Sequence, residues 1–212
     1  MFKVLPNIHG FRNIGVTMTG NILRRYHTPA AVSKELVHDQ TLYEEREDLD
    51  IVKELRESRD HSIMAAYKFL PKNVEPTHLT GYTLNKPGEL ALSQLVFKHN
   101  TQPKLVTVVH VGRKLAGHPG IVHGGFLCTL LDEALFRAVM NQWPNRGIFT
   151  GQLNVKYLKP VFTDQFIVIK SEVDRLEGRK GFCVGTVEDL SGNILTEANG
   201  IFIASREEKP SS

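Results

Sequence analysis

One short stretch of the chain combines two groups that could act together on a carbonyl group. The motif His123-Gly124-Gly125 leads into an apolar segment, residues 126–141, with the carboxylate of Asp132 in its middle. Glycines keep side chains away from the start of a helix, where the first N–H groups lack intrahelical partners and the dipole is positive. Such a helix start can stabilise negative charge that develops on a carbonyl oxygen. For the motif alone, a plain glycine-rich helix start is the alternative.

Asp132 is the acid that we expect to be buried or to face a pocket. When the segment is drawn as a helix, its apolar residues fall on every side, which predicts that the helix is buried almost all round. No basic residue lies at helical spacing from Asp132, whereas Glu133 has Arg137 four residues later and is predicted to form an exposed ion pair. Burial without a cation raises the pKa of a carboxyl group and makes it a stronger base. A structural Asp, hydrogen-bonded to backbone or hydroxyl groups, is the alternative.

A later segment completes a recognisable pattern. Thr150 precedes the sequence LNVKYLKP, residues 153–160, and Asp132 follows His123 by nine residues. Together these features resemble the hotdog-fold acyl-CoA thioesterases, in particular the branch related to the phenylacetic-acid-degradation thioesterase and to thioesterase superfamily member four. The resemblance covers roughly residues 79–204.

The resemblance implies an antiparallel sheet wrapped around the helix and an active site formed between two subunits, in a homodimer or a dimer of dimers. It also implies a role for each motif residue: Asp132 as base or nucleophile, the region of Gly124 and Gly125 as oxyanion hole, His123 as an orienting residue and Thr150 as a helper. Some relatives carry a hydroxyl residue one turn after the acid, where this chain has Phe136. Thr150 would then be the residue that supplies a hydroxyl group.

The sequence after Pro76 has the pattern of strands interrupted by one long helix. Closely spaced turns such as Glu177-Gly178-Arg179 indicate hairpins and hence an antiparallel sheet. The predicted strands are residues 79–84, 90–99, 105–112, 148–158, 165–176, 180–188 and 194–205. This order predicts an α+β fold with the helix laid on the sheet, which is the hotdog architecture. A bulge at Gly151 would re-aim Thr150, which otherwise alternates away from the core face.

The chain divides into four predicted parts. Residues 1–34 contain five basic residues and no acid, a composition that predicts a mitochondrial presequence directing import into the matrix. A disordered basic tail is the alternative. Residues 35–76 are predicted to form a helical extension, 77–205 the thioesterase domain and 206–212 a flexible tail.

Composition narrows the classes of function. The net charge of +3 is too small and scattered to indicate nucleic-acid binding, and no apolar run approaches the roughly 18 residues that span a bilayer. The nine histidines show no H-E-x-x-H spacing, and no G-x-S-x-G motif occurs. We therefore expect neither a metal centre, nor another cofactor, nor a Ser-His-Asp triad.

The resemblance implies that the substrate is an acyl-CoA thioester. Coenzyme A carries phosphates, which lysine and arginine at a pocket mouth would bind. The candidates are Lys156, Lys159, Arg175, Arg179 and Lys180, with ordinary solvated charges as the alternative. Hydrolysis of the thioester is the predicted reaction; a non-catalytic acyl-CoA-binding or regulatory protein and an acyl-thioester hydratase or dehydratase are the alternatives.

Overall fold

The computed structural model describes residues 37–67, 75–144 and 146–206, so the predicted presequence lies outside the described residues. Three α-helices are present in these ranges: α1 (Gln40–Asp48), α2 (Asp50–Glu57) and α3 (Gly124–Met140). The strands are β1 (His61–Ala65), β2 (Leu95–His99), β3 (Lys104–Val111), β4 (Ala116–His118), β5 (Ile121–Val122), β6 (Ile148–Tyr157), β7 (Gln165–Glu177), β8 (Lys180–Glu188) and β9 (Ile194–Ala204). None of the described helices is both long and apolar enough to cross a membrane.

Seven strands form one antiparallel sheet in the order β1-β2-β3-β7-β8-β9-β6. The remaining two, β4 and β5, form a small hairpin directly before α3. Within the described residues β6 pairs with β9 on one side only, which makes it an edge strand. Its outer edge therefore presents backbone groups that another strand could bind.

The helix α3 packs on the inner face of the sheet and forms the core with it. Leu130, Leu131 and Leu135 are fully buried, together with Ile167 and Ile169 of β7. Burying each such side chain contributes about 1.5–3 kcal/mol. A side chain at position 185 of β8 would meet Leu135 at 3.0 Å and the backbone oxygen of residue 170 at 2.8 Å, so glycine there allows the close approach of helix and sheet. This arrangement confirms the predicted α+β hotdog fold.

The opposite face of the sheet is partly covered by α1 and α2. Val52 and Leu55 of α2 belong to a second apolar cluster with Phe97, Val108 and Phe166 of the sheet. Residues 35–76 were predicted to be a helical extension, which is too broad, because residues 61–65 form strand β1 and pair with β2.

Two other strand predictions need correction. Residues 79–84 were predicted as a strand, but Leu79–Thr83 is a π-helical turn, in which the His78 side chain accepts a hydrogen bond from Gly81 N–H at 3.0 Å. The strand predicted for residues 90–99 begins only at Leu95, because Ala91 adopts a left-handed conformation with φ of 60° and turns the chain. The other five predicted strands are confirmed, with ends that differ by at most one residue.

Candidate active site

The start of α3 is held by the motif that the sequence singled out. His123 is the N-cap residue, and its Nδ1 accepts a hydrogen bond from Gly125 N–H at 3.0 Å. An unprotonated Nδ1 caps the helix in the way that Asn or Ser side chains usually do. Gly125 N–H is thus occupied by the cap, whereas Gly124 N–H has no acceptor among the described residues. Of the two predicted oxyanion donors, the geometry favours Gly124.

Asp132 lies midway along α3, half-buried, next to a hydroxyl group from the edge strand. Thr150 Oγ1 donates a hydrogen bond to Asp132 Oδ1 at 2.9 Å. Burial raises the pKa of Asp132 above its ordinary value; the hydrogen bond from Thr150 opposes the rise, and the negative charge of Glu133 adds to it. No cation in the described part of the chain pairs with Asp132. A carboxylate in this setting is better suited to accept a proton than a solvated one.

A β-bulge turns Thr150 toward the helix. Thr150 pairs with Phe202 and Gln152 pairs with Ile201, so that Gly151 is the extra residue on β6. Phe202 is fully buried in the core, and its partner Thr150 therefore faces α3 as well. The bulge considered in the sequence analysis is present, and it accounts for the contact of Thr150 with Asp132.

Glu133 was predicted as an exposed residue, and this prediction is wrong. Its side chain is only 15% exposed and forms an ion pair at 2.9 Å with Arg137, which is itself fully buried. Thr80 and Gln94 also donate hydrogen bonds to its carboxylate. The segment that contains Thr80 and Gln94 covers this side of α3, so Glu133 serves to anchor that segment.

Tyr157 is a further residue of the candidate site, and no motif in the sequence indicated it. Its hydroxyl group donates a hydrogen bond to the backbone oxygen of Gly124 at 2.8 Å and lies 2.9 Å from Cys128 Sγ. Contact with Cys128, together with burial, raises the pKa of Tyr157 to about 12. Strand alternation places Tyr157 on the inner face, but the residue of α3 that it meets depends on how the helix lies across the sheet.

The five predicted phosphate-binding cations do not come together in one chain. Lys180 pairs with Ile203 of β9, which pairs with Phe149 at the start of β6, whereas Lys156 is near the end of β6. Because Gly151 is the extra residue of a bulge, the two levels are six residues apart along the partner strand β9, or roughly 20 Å. The cations therefore form two groups at opposite ends of β6: Lys156 and Lys159 at one end, Arg175, Arg179 and Lys180 at the other.

Several of these cations already have partners. Lys156 lies 3.7 Å from Glu197, and Arg175 contacts Asp174 and Glu177 at 2.8 and 2.7 Å. Arg179 donates a hydrogen bond to the backbone oxygen of residue 204 at 3.0 Å. Lys159 and Lys180 have no ion pair within the described ranges and are the more available pair.

A groove of about 660 Å³ lies on the other face of the sheet, and we do not place the active site there. Its lining includes Lys104, Glu172 and Lys156 but neither Asp132 nor Gly124. The lysines of this groove pair with glutamates of neighbouring strands, as Lys104 does with Glu172 at 3.2 Å. This is the pattern of a solvated sheet face.

Comparison with known proteins identifies the family. The family model described as the thioesterase superfamily matches residues 119–196, a range that contains His123, Gly124, Asp132 and Thr150. The acyl-coenzyme A thioesterase THEM4 of Bos taurus is 32% identical over 161 residues, which cover 74% of this chain and 66% of that protein. The chain belongs to the thioesterase superfamily.

Two further comparisons extend this result. The uncharacterized mitochondrial membrane protein FMP10 of Saccharomyces cerevisiae is 29% identical over 157 residues, covering 73% of this chain and 62% of that protein. This thioesterase-superfamily chain thus spans slightly less than two thirds of the length of these two relatives. A hypothetical thioesterase protein from Streptococcus pneumoniae, crystallised with coenzyme A, has the same fold, with a TM-score of 0.50, 20% identity, and coverage of 55% of this chain and 89% of that one.

Proposed function

We propose that this protein hydrolyses acyl-CoA thioesters to a free acid and coenzyme A. The observation that carries the proposal is the half-buried Asp132, which has no cationic partner in the described part of the chain and accepts a hydrogen bond from Thr150. Its relative THEM4 is named as an acyl-coenzyme A thioesterase, and the matched range contains both residues.

The chemistry follows from the positions of the two groups. Thr150 binds Oδ1 of Asp132 and leaves Oδ2 for the reaction. Acting as a base, Asp132 takes a proton from water while the water oxygen adds to the thioester carbon. The carbonyl electron pair moves to oxygen, where a Gly124 N–H stabilises it; removal of one such donor costs roughly 2.7–4 kcal/mol in other enzymes. Collapse of the adduct expels the thiolate of coenzyme A, which takes the proton back from Asp132.

Direct attack by Asp132 is the second route from the same geometry. The carboxylate would form a mixed anhydride and release coenzyme A, and water would then cleave the anhydride. The hydrogen bond from Thr150 stabilises the anionic carboxylate in both routes. Labelled oxygen from water that appears in Asp132 during a single turnover would establish the anhydride route with attack of water on the aspartyl carbon, because the general-base route puts the label in the free acid only.

Each active site requires two chains. Gly124 and Asp132 are eight residues apart on α3, which is about 12 Å along the helix axis. Helical N–H groups point toward the N-terminus, so an oxygen bound by Gly124 lies farther still from Asp132 of the same chain. We propose that Asp132 and Thr150 of one copy act with Gly124 of a second copy.

The edge strand β6 provides a way to build such a dimer. Its free edge is bordered by exposed apolar side chains, Phe149 at 46% and Tyr157 at 51%. Antiparallel pairing of two β6 strands about their midpoints would bring the Thr150 end of one beside the Tyr157 end of the other. The same pairing would join the two separate groups of cations, Lys156 and Lys159 from one copy and Arg175, Arg179 and Lys180 from the other. We propose this combined group as the binding site for the phosphates of coenzyme A.

A hydrolysis screen of the purified protein over short-chain, long-chain and aromatic acyl-CoAs tests the proposal. We expect turnover of at least one class, and Asp132→Asn should lower kcat at least about a hundredfold. Asp48→Asn, an exposed acid on α1, is the matched control and should keep wild-type kcat. Near-normal turnover by Asp132→Asn would remove Asp132 from the mechanism, and binding of acyl-CoA without any hydrolysis would indicate a non-catalytic binding protein.

We also propose a mitochondrial location, with import into the matrix. The proposal is supported by the acid-free, arginine-containing composition of residues 1–34 and by the name of the yeast relative, a mitochondrial membrane protein.

A further inference from the structure

Tyr157 connects the edge strand β6 to the first turn of α3. Its hydroxyl group donates a hydrogen bond to the backbone oxygen of Gly124 at 2.8 Å. The aromatic ring also lies against the glycine, since a side chain at position 124 would meet Cζ and the hydroxyl oxygen of Tyr157 at 3.3 Å. Tyr157 therefore restrains both the carbonyl group and the Cα of Gly124.

The hydrogen bonds around Tyr157 have a defined direction. The single hydroxyl proton is given to Gly124 O, so the contact with Cys128 Sγ at 2.9 Å has the thiol as donor. The peptide unit that carries Gly124 O also carries Gly125 N–H, which donates to His123 Nδ1 at 3.0 Å. This one peptide unit is thus held at its oxygen by Tyr157 and at its nitrogen by His123.

We propose that Tyr157 is a positioning residue for the oxyanion site. Two successive glycines leave the backbone of the first turn with unusual freedom, and its N–H groups have no intrahelical partners. Fixing the peptide unit that follows Gly124 limits the rotation of the unit before it, which carries the Gly124 N–H. An oxyanion donor is effective only if it already points to the place where the charge develops. The inference rests on the proposed hydrolysis and names the group that orients its oxyanion donor.

The test replaces Tyr157 by Phe, which removes the hydroxyl group and keeps the ring. We expect kcat to fall about tenfold, the loss of roughly one hydrogen bond in the transition state, while KM stays within about twofold. Tyr43→Phe on α1, behind the opposite face of the sheet, is the matched control and should leave both constants unchanged. A melting temperature within about 3 °C of wild type would show that the fold is intact.

A Cys128 variant tests whether Tyr157 influences kcat through its contact with Gly124 or through its contact with the thiol. The ratio of kcat between Tyr and Phe at position 157 is measured again in a Cys128→Ala background. A ratio that stays near ten shows that Tyr157 acts through Gly124. A ratio near one would show that Tyr157 acts through the thiol and would overturn the proposal. An unchanged kcat in the Tyr157→Phe variant would also overturn it. So would equal changes in KM and kcat that accompany a large loss of melting temperature.

A readout that does not depend on catalysis separates this proposal from the proposed function. In protein labelled with 15N-glycine, Tyr157→Phe should shift the amide signals of Gly124 and Gly125, and Tyr43→Phe should not. If these signals do not move, the positioning role is rejected even for an active enzyme. If they move and wild type hydrolyses no acyl-CoA, the contact stands and the proposed hydrolysis fails.

Discussion

Mixing two inactive variants would show whether each active site is built from two chains. Asp132→Asn removes the carboxylate and Gly124→Val obstructs the oxyanion donor, because a side chain at position 124 meets Tyr157 at 3.3 Å. A heterodimer of the two variants contains one site with both groups intact and one site with neither. If each site belonged to a single chain, every site in the mixture would carry one of the two lesions.

The distance within one chain makes the expected difference large. Gly124 and Asp132 are about 12 Å apart along α3, and an oxygen hydrogen-bonded to Gly124 N–H lies about 3 Å beyond it, giving roughly 15 Å. A reacting group must approach the carbonyl carbon to about 3–3.5 Å, so the two groups of one chain cannot act on one carbonyl. Random pairing makes half of all dimers heterodimers, each with one of two sites intact, and predicts about a quarter of wild-type activity.

The assay compares purified heterodimers with their parents. Two affinity tags allow the heterodimer to be isolated after co-expression, and loss of the thioester absorbance follows hydrolysis without a thiol reagent that could modify Cys128. The isolated heterodimer should have about half of the wild-type activity, whereas each parent should have about a hundredth or less. A heterodimer of Asp132→Asn with Asp132→Ala is the matched control and should stay inactive. Activity at the parental level in an isolated Asp132→Asn and Gly124→Val heterodimer would refute the shared site.

Four further predictions concern single groups. Thr150→Val removes a hydrogen bond that lowers the pKa of Asp132, so the acidic limb of the kcat/KM profile should move to higher pH; an unmoved limb would dissociate Thr150 from the titration of Asp132. Burial raises the pKa of Asp132 in the folded protein, so the contribution of this acid to stability is lost as pH rises through that pKa. Asp132→Asn should therefore raise the melting temperature at neutral pH, and it should not do so at pH well below the ordinary pKa of 3.8. Lys180→Ala should raise KM for acyl-CoA at low salt more than at high salt with little change in kcat, whereas Lys53→Ala on α2 should do neither. Residues 1–25 fused to a fluorescent protein should direct it to mitochondria, and a fusion that stays in the cytosol would contradict the presequence.

The elements with strong periodicity could be predicted from the sequence. The helix α3 is apolar all round and the strands β6 to β9 are bounded by clear turns, so their ends were predicted to within two residues. Residues 79–84 have a strand-like composition, but the local hydrogen bond from Gly81 N–H to His78 selects a π-helical turn. Strand β1 is only five residues long and shows no regular alternation of polar and apolar residues, so it gave no signal of its own.

The candidate site was predicted in part for a similar reason. Asp132 and Gly124 lie on one continuous helix, and the local sequence predicts both the start of this helix and the distance between the two residues along it. The burial of Glu133 depends on Thr80 and Gln94, which are 53 and 39 residues earlier, and the spacing of its ion pair with Arg137 does not reveal this contact. The contact of Tyr157 with Gly124 likewise depends on how β6 crosses α3, which is a property of the packed sheet and not of either segment.

The bulge at Gly151 determines which residues of β6 can face α3. Thr150 and Tyr157 both contact α3, yet they are separated by seven positions, an odd number that would place them on opposite faces of a regular strand. The additional residue changes this parity, so one strand can contact Asp132 of α3 near one end and Gly124 in the first turn of α3 near the other. The number of residues between the two contacts is thereby fixed, although the types of these residues can vary. Any insertion or deletion there would release one of the two contacts, while the loops at either end of β6 remain free to change.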